Sequence, residues 1–313
     1  MKNNFVLKRI IQMIVILFGI SFFTFLLLHL TPGDAVRSMY LTNGIQPTQT
    51  LIDKTREELG LNQPFIIQYK NWLFSCLRGD FGNSYTLKKS VSSLLLSRLA
   101  PTIKLSAFSM VLMLLIAVPA GMLAAIHKDG IIDHLIRACT FFGVSMPNFW
   151  VGLLLLYVIA HKYKILPVVS NGTGFSKLIL PAMTLAFAMS AKYTRQVRAT
   201  VIEELNQDYV IGARARGIKE SEIIWKHVFP NSLLPLVTLL GLSLGSLLGG
   251  TAVVEVIFSY QGLGNLAVSA ISAMDYPLIQ GYVLWIALIY MFINLIVDIS
   301  YPYIDPRVHG KGA

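Results

Sequence analysis

The stretch Leu105-Ser-Ala-Phe-Ser-Met-Val-Leu-Met-Leu-Leu-Ile-Ala-Val-Pro-Ala-Gly-Met-Leu-Ala-Ala-Ile126 contains no ionisable side chain. Coiled as an α-helix at about 1.5 Å per residue it covers about 33 Å, enough to cross a hydrocarbon layer of about 30 Å. Five further segments follow the same logic on either side of it. They are Ile10–Leu30, Ala138–Ala160 with Pro147 inside it, Leu178–Ala191, Ser232–Val254, and Leu278–Val297, which stops just before Asp298. Leu178–Ala191 is short and reaches spanning length if Lys192 and Arg195 snorkel to the interface. The expected fold is therefore an all-α integral membrane protein with six transmembrane helices. Composition agrees: of 313 residues 55% are hydrophobic and 13% charged, against about 45–50% and about 25% in a soluble domain. The mean hydropathy of +0.63 excludes a disordered chain. The first segment is longer than a signal-peptide core and no small-residue cleavage site follows it, so it reads as a retained anchor.

Lys and Arg number 26 against 16 Asp and Glu, a net charge of +10. Position decides what that surplus means. Lys2, Lys8 and Arg9 precede the first span. Lys128 and Arg137 lie between the second and third. Lys192, Arg195, Arg198, Arg214, Arg216, Lys219 and Lys226 lie between the fourth and fifth, and Arg307 and Lys311 follow the last. The short loops on the other side hold only Lys162, Lys164 and Lys177. The positive-inside rule then puts both termini in the cytoplasm of a multi-pass protein of the cell membrane, in contact with lipid. It also removes the nucleic-acid reading of the surplus. Cys76 and Cys139 are too few for a disulfide framework or a four-cysteine metal site.

The chain divides into an N-terminal cytoplasmic segment with the first transmembrane helix (1–31), an external loop (32–100), a five-helix core (101–302) with a cytoplasmic loop at 192–231, and a cytoplasmic tail (303–313). The external loop is too long for a plain connector. It has helix-compatible stretches at Leu51–Leu59 and Pro64–Leu77, and a turn at Arg78-Gly79-Asp80-Phe81-Gly82-Asn83. Arg78-Gly79-Asp80 invites an adhesion reading, but a folded cap or a docking surface for an external partner fits the loop better. On the same side, Gly262 and Gly264 suggest a tight turn. Glu255, a carboxylate at a span end, is a candidate gate or pathway residue, or else a hydrogen-bond anchor. Pro147 suggests a kink that opens a cavity, with Ser145, Met146, Pro147 and Asn148 as candidate pathway lining; helix packing is the alternative.

The cytoplasmic loop holds the densest charge. Its first half is helix-compatible up to Gly217, a residue suited to the position after a helix end, and its second half runs to Pro230. Two short helices about a glycine make a knob. Gly212, Ala213 and Ala215 let it approach another surface closely.

Here the sequence resembles the permeases of ABC importers. Their cytoplasmic loop reads Glu-Ala-Ala, three residues, Gly, nine residues, Ile-x-Leu-Pro. Anchored on Gly217, this chain reads Ile211-Gly212-Ala213, Gly217 and His227-Val228-Phe229-Pro230, with Ile211 and Gly212 replacing the Glu and first Ala. The version Asp208-Tyr209-Val210-x-x-Ala213-Arg214-Ala215-x-Gly217 is similar to the peptide and nickel branch, as are His227 and Asn231. Thr31-Pro32-Gly33-Asp34, Gly79-Asp80-Phe81-Gly82-x-Ser84, Glu255-x-Ile257-Phe258 with Gly262-Leu263-Gly264, Asp275-Tyr276-Pro277 and Asp305-Pro306-Arg307 extend the likeness over nearly the whole chain. The first of two paired permeases is the nearer match, and Phe142–Trp150 looks like the nickel-importing members.

The resemblance implies a type I importer permease that forms half of a pathway for nickel, bare or as a chelate, or for small peptides. It implies a second homologous permease, two cytoplasmic ATPases that hold ATP and magnesium, and an external solute-binding protein. It implies that Asp208, Tyr209, Ala213, Arg214, Ala215, Gly217 and His227 couple to the ATPase. The chain has no G-x-x-x-x-G-K-[ST] loop, so ATP-driven work needs a partner and no catalytic residue is expected here. There is no H-E-x-x-H and the six histidines are scattered, so no metal site is expected. Gly241-Leu-Ser243-Leu-Gly245 matches a serine-nucleophile signature. It lies inside an apolar segment without a mid-span histidine, and Gly241, Gly245 and Gly249 instead recur every four residues as a helix-packing ridge. A passive channel would leave the cytoplasmic knob without a purpose. Asn171-Gly172-Thr173 fits a glycosylation sequon.

Overall fold

The computed structural model describes residues 2–166 and 174–304. The sequon and Asp305-Pro306-Arg307 lie outside them. Fourteen α-helices are found among the described residues: α1 Lys2–Leu30, α2 Ala35–Thr42, α3 Gln49–Glu58, α4 Phe65–Leu77, α5 Val91–Ile126, α6 Ile131–Ser145, α7 Asn148–Leu155, α8 Ser176–Leu205, α9 Asp208–Ala215, α10 Glu220–Glu222, α11 Phe229–Gly250, α12 Ala252–Ile257, α13 Leu263–Ser272 and α14 Tyr276–Ile304. Two π-helical turns, Leu156–Lys162 and Ile223–Val228, continue α7 and α10. Leu7–Leu30, Val91–Ile126, Glu220–Gly245 and Tyr276–Ile299 are each long and apolar enough to cross a membrane. The apolar Leu178–Ala191 forms the first part of α8.

The expected third span is not one kinked helix. Its two halves, Ile131–Ser145 and Asn148–Lys162, meet at 99°. Met146 and Pro147 between them are extended, at ψ 128° and 136°. A residue before proline is pushed out of the helical region, and proline has no N–H to continue the ladder. Together these end α6, and Pro147 then caps α7 through its carbonyl, which accepts from the amide of Trp150 at 3.0 Å. The 192–231 loop also differs from expectation. Lys192–Leu205 continues α8 without a break, and the knob begins only at Asp208.

The chain forms two compact units. One comprises 1–102, 248–252 and 261–292. Here α2, α3 and α4 end alike: Gly44, Gly60 and Gly79 take φ of +73°, +69° and +82°. At α4 the amide of Gly79 donates to the carbonyl of Cys76 at 2.9 Å and that of Asp80 to Ser75 at 3.0 Å. Only glycine enters this left-handed region without strain. Arg78-Gly79-Asp80 is thus a helix stop, with the Asp80 carboxylate accepting from the Gly82 amide at 2.9 Å.

Asp275, almost fully buried, organises this unit. Its carboxylate accepts from the Ser84 hydroxyl at 2.5 Å, the Tyr85 amide at 3.1 Å and the Thr86 amide at 3.0 Å. It also caps α14 through the Leu278 amide at 3.4 Å. Burial beside this carboxylate pushes the Tyr85 phenol up to about 12. Below it, Val91, Leu94, Leu95, Leu263, Leu266, Ala270 and Leu278 form an apolar core. A Cβ on Gly281 would overlap Val91. The tight turn expected at Gly262 and Gly264 falls just before them, where Ser259 carries a positive φ of +50°. Gly264 serves close approach instead, since a Cβ there would overlap the backbone of Ala252. Gly249 is exposed, and a Cβ on it would make only ordinary contact with Ile286.

The other unit comprises 103–247, 253–260 and 293–313. Its α6 and α8 are in intimate contact: a Cβ on Gly143 would overlap Ala191. A Cβ on Gly241 would likewise overlap Val297, and Gly245 is buried.

Two outcomes are expected. Asp275→Ala removes charge-assisted hydrogen bonds worth about 1.5–3 kcal/mol each, so limited proteolysis of membranes will cut residues 79–90 faster than in the wild type. Cys76 is half-buried on α4, so maleimide will label it more slowly in the folded protein than after denaturation.

Candidate coupling knob and membrane cavity

The knob is built by a helix stop of the same kind. Asp208, exposed in the first turn of α9, suits the positive end of the helix dipole. The Tyr209 hydroxyl donates to Glu204 at 2.8 Å and ties α9 back to the end of α8. At the other end Gly217 has φ +74°. Its amide donates to Arg214 at 2.9 Å and that of Ile218 to Ala213 at 3.2 Å. The guanidinium of Arg214 grips Glu220 through two bonds, of 2.5 and 3.1 Å, closing the turn. Lys226 pairs with Glu222 at 2.6 Å.

Burial divides the knob into two faces. Val210 and Ala213 join Val197, Val201, Ile223, Ile224 and Val228 in a core that seats α9 on α8. Ile211, Gly212, Ala215, Arg216, Gly217, Trp225 and His227 are exposed. A Cβ on Gly212 or on Gly217 would meet nothing within 4 Å. The expected coupling residues therefore separate. Asp208, Arg214, Ala215, Gly217 and His227 are on the surface, Ala213 is under it, and Tyr209 is half-buried as a strut. The outward position of Ile211 and Trp225 is not readable from spacing alone, because it depends on which side α8 covers.

The proline break shapes a second feature. Met146 and Asn148 line a cavity of about 490 Å³ with Gly143, Lys192, Arg195 and Gln196. Ser145 and Pro147 do not line it; the Ser145 hydroxyl bonds back to the carbonyl of Phe141 at 2.9 Å. Glu255 is fully buried elsewhere, next to Val254 of the core that contains Phe258 and Tyr260. Ser243 lies mid-helix on α11, hydrogen-bonded to the Tyr193 hydroxyl, which also donates to the Leu239 carbonyl at 2.8 Å. This is not the strand-to-helix turn a nucleophile needs.

One residue escaped the sequence reading. Asp133, wholly buried, receives the Arg198 guanidinium bidentately at 2.6 and 2.7 Å and the Asp129 amide at 3.0 Å. This clamp fixes α6 against α8, the two helices that supply most of the cavity wall. No signal in the sequence joins two residues 65 positions apart.

Fold and knob together define a polytopic helical membrane subunit of a transporter. Residues 117–310 match the family described as binding-protein-dependent transport system inner membrane component, and residues 2–106 match its N-terminal region. The chain belongs to this family. Glutathione transport system permease protein GsiC of Escherichia coli strain K12 is 36% identical over 308 residues, 98% of this chain and 99% of that one. The same protein of Shigella dysenteriae serotype 1 matches equally. Among solved structures, an amino acid ABC transporter aligns with TM-score 0.53 and 19% identity over 69% of this chain and 94% of its own. The inward-facing MetNI methionine ABC transporter aligns with TM-score 0.55 and 18% identity over 68% and 96%. The fold is that of type I ABC importer permeases. The chain is a transport subunit without catalytic activity of its own, and its family implies a partner ATPase and a solute-binding protein.

Asp133→Ala leaves Arg198 without its partner and loses bonds worth about 1.5–3 kcal/mol each. The midpoint of thermal unfolding in detergent will fall, and Arg198→Ala added to it will cost little more, because the pair acts as one unit.

Proposed function

We propose that this permease forms half of an import pathway for small peptides or peptide-like anions, pairs with a homologous second permease, and docks its ATPase on the exposed side of α9 and Gly217. The observation that carries the cargo is the full-length similarity to glutathione permeases. The cavity adds to it: Lys192 and Arg195 set two cations beside Asn148 and Gln196, a lining suited to carboxylates. The nickel cargo suggested by Phe142–Trp150 has less behind it, since Phe142, Phe149 and Trp150 are exposed and only Gly143, Val144, Met146 and Asn148 of that stretch reach the cavity. Basic residues place the knob and both termini in the cytoplasm, where ATP and magnesium would be held by the partner ATPases.

Uptake of labelled glutathione, a dipeptide and nickel, in cells lacking their own importers for these, tests the cargo. Peptide uptake that stops when the ATPases are deleted is expected. Uptake of nickel alone would overturn the cargo, and uptake that persists without the ATPases would favour a channel. Gly217→Glu adds a charge to an exposed face but also strains the turn at φ +74°. Gly212→Glu, on the same exposed side, adds the charge without that strain. With both proteins still inserted, uptake will fall while ATP hydrolysis continues, and normal uptake in Gly212→Glu refutes the docking face. Ala213→Glu is expected to act differently, by lowering the amount of folded protein, because Ala213 is 3% exposed.

A further inference from the structure

Helix α4 has three faces. Phe65, Tyr69 and Trp72 pack on α1, with Tyr69 centred 5.5 Å from Phe22 and 5.4 Å from Phe25, and Phe65 5.3 Å from His29. The Tyr69 hydroxyl hydrogen-bonds the Ser21 hydroxyl at 2.8 Å, and the Tyr69 ring also meets Phe18. A second face, Gln68, Asn71 and Ser75, borders a polar cavity of about 640 Å³ with Asp34, Arg56 and Gln280. The third face carries Ile66, Ile67, Phe74 and Leu77, exposed by 64, 46, 53 and 75%.

What covers the third face follows from depth. Leu7–Leu30 of α1 is an apolar span. A hydrocarbon layer of about 30 Å takes about 20 residues, and Lys8 and Arg9 mark where it begins, so it ends near Leu30. Phe18 then lies about 12 Å inside, at 1.5 Å per residue, close to the midplane. Phe18 is the deepest α1 side chain that α4 touches, and the others, from Ser21 to His29, are in the half of the bilayer at the Leu30 end. A helix held at that depth meets acyl chains on any side that protein does not cover.

We infer that α4 is embedded in lipid, riding on α1 in that half of the bilayer with Ile66, Ile67, Phe74 and Leu77 against acyl chains. Lys70 is exposed on the same side, and a lysine there would lay its aliphatic stem along the acyl chains with the ammonium turned toward the nearer headgroups. The helix separates the lipid from the polar cavity behind it. This depends on α1 spanning the membrane and not on the cargo or the ATPase, so transport assays do not bear on it.

The test uses the assembled importer in vesicles of phosphatidylcholine and phosphatidylglycerol. Nitroxides are attached at Ile67→Cys, Phe74→Cys and, as a further exposed site, Leu77→Cys, with Cys76 and Cys139 replaced by Ser. Collisions with oxygen, which partitions into lipid, are compared with those of chromium oxalate, which stays in water. At all three sites oxygen is expected to dominate, with a shift towards the oxalate at Asn71→Cys on the cavity side. Oxalate dominating at 67, 74 and 77 would put the face in water. Low collision rates with both would mean a protein surface covers it, such as the second permease. Either result overturns the inference.

Discussion

A peptide group in hydrocarbon must find its hydrogen-bond partner within the protein, and this constraint shapes the chain more than any side-chain contact. It accounts for a chain whose described residues are helical almost throughout. It also makes each interruption informative. The extended pair Met146 and Pro147 is one such place, and a cavity opens beside it. The break at Thr251, between α11 and α12, is another; Thr251 is fully buried, and Gly264 approaches the adjoining Ala252 too closely for any side chain. The π-helical turns, with their wider register, stand just past α7 and just before α11.

Within that frame a few buried carboxylates do what apolar packing cannot. Dispersion and close packing hold helices together without choosing a register, whereas a carboxylate with several donors accepts few alternatives. Asp133 selects one pairing of α6 with α8 through Arg198, and Asp275 selects one path for residues 84–86 against the start of α14. The first holds the wall of the cavity, and the second holds the loop that leads into α5. The knob is fixed by milder means, a tyrosine strut and a glycine helix stop. It keeps Gly212, Ala215 and Gly217 outward, where a partner surface can come close.

Much of this architecture is legible in the residues themselves. The spans can be read because an uncharged run of some twenty residues is too long and too apolar for the surface of a soluble domain. The knob can be read because Gly217 and Pro230 punctuate a charged segment. The helix stops at Gly60 and Gly79 are visible as punctuation too. Other parts are not. A proline in an apolar run permits a kink or a full break, and the choice at Pro147 depends on what α6 and α7 pack against. Glycines at 262 and 264 look like turn residues, yet the conformation there falls to Ser259 and the glycine is needed for contact. The membership of Ala213 in the core and of Gly217 in the surface is likewise a matter of which side of α9 meets α8.

The sequence by itself determined that the chain lives in a membrane, that it is helical, and where its charged knob lies, because these follow from hydropathy, charge placement and residues with few conformational options. Only the tertiary structure decided that Asp133 meets Arg198, that Asp275 gathers the loop at Ser84, and that Met146 and Asn148, but not Glu255, share a cavity with Lys192 and Arg195. Those pairings join positions far apart in the chain. They arise from how helices pack, which local pattern constrains only weakly.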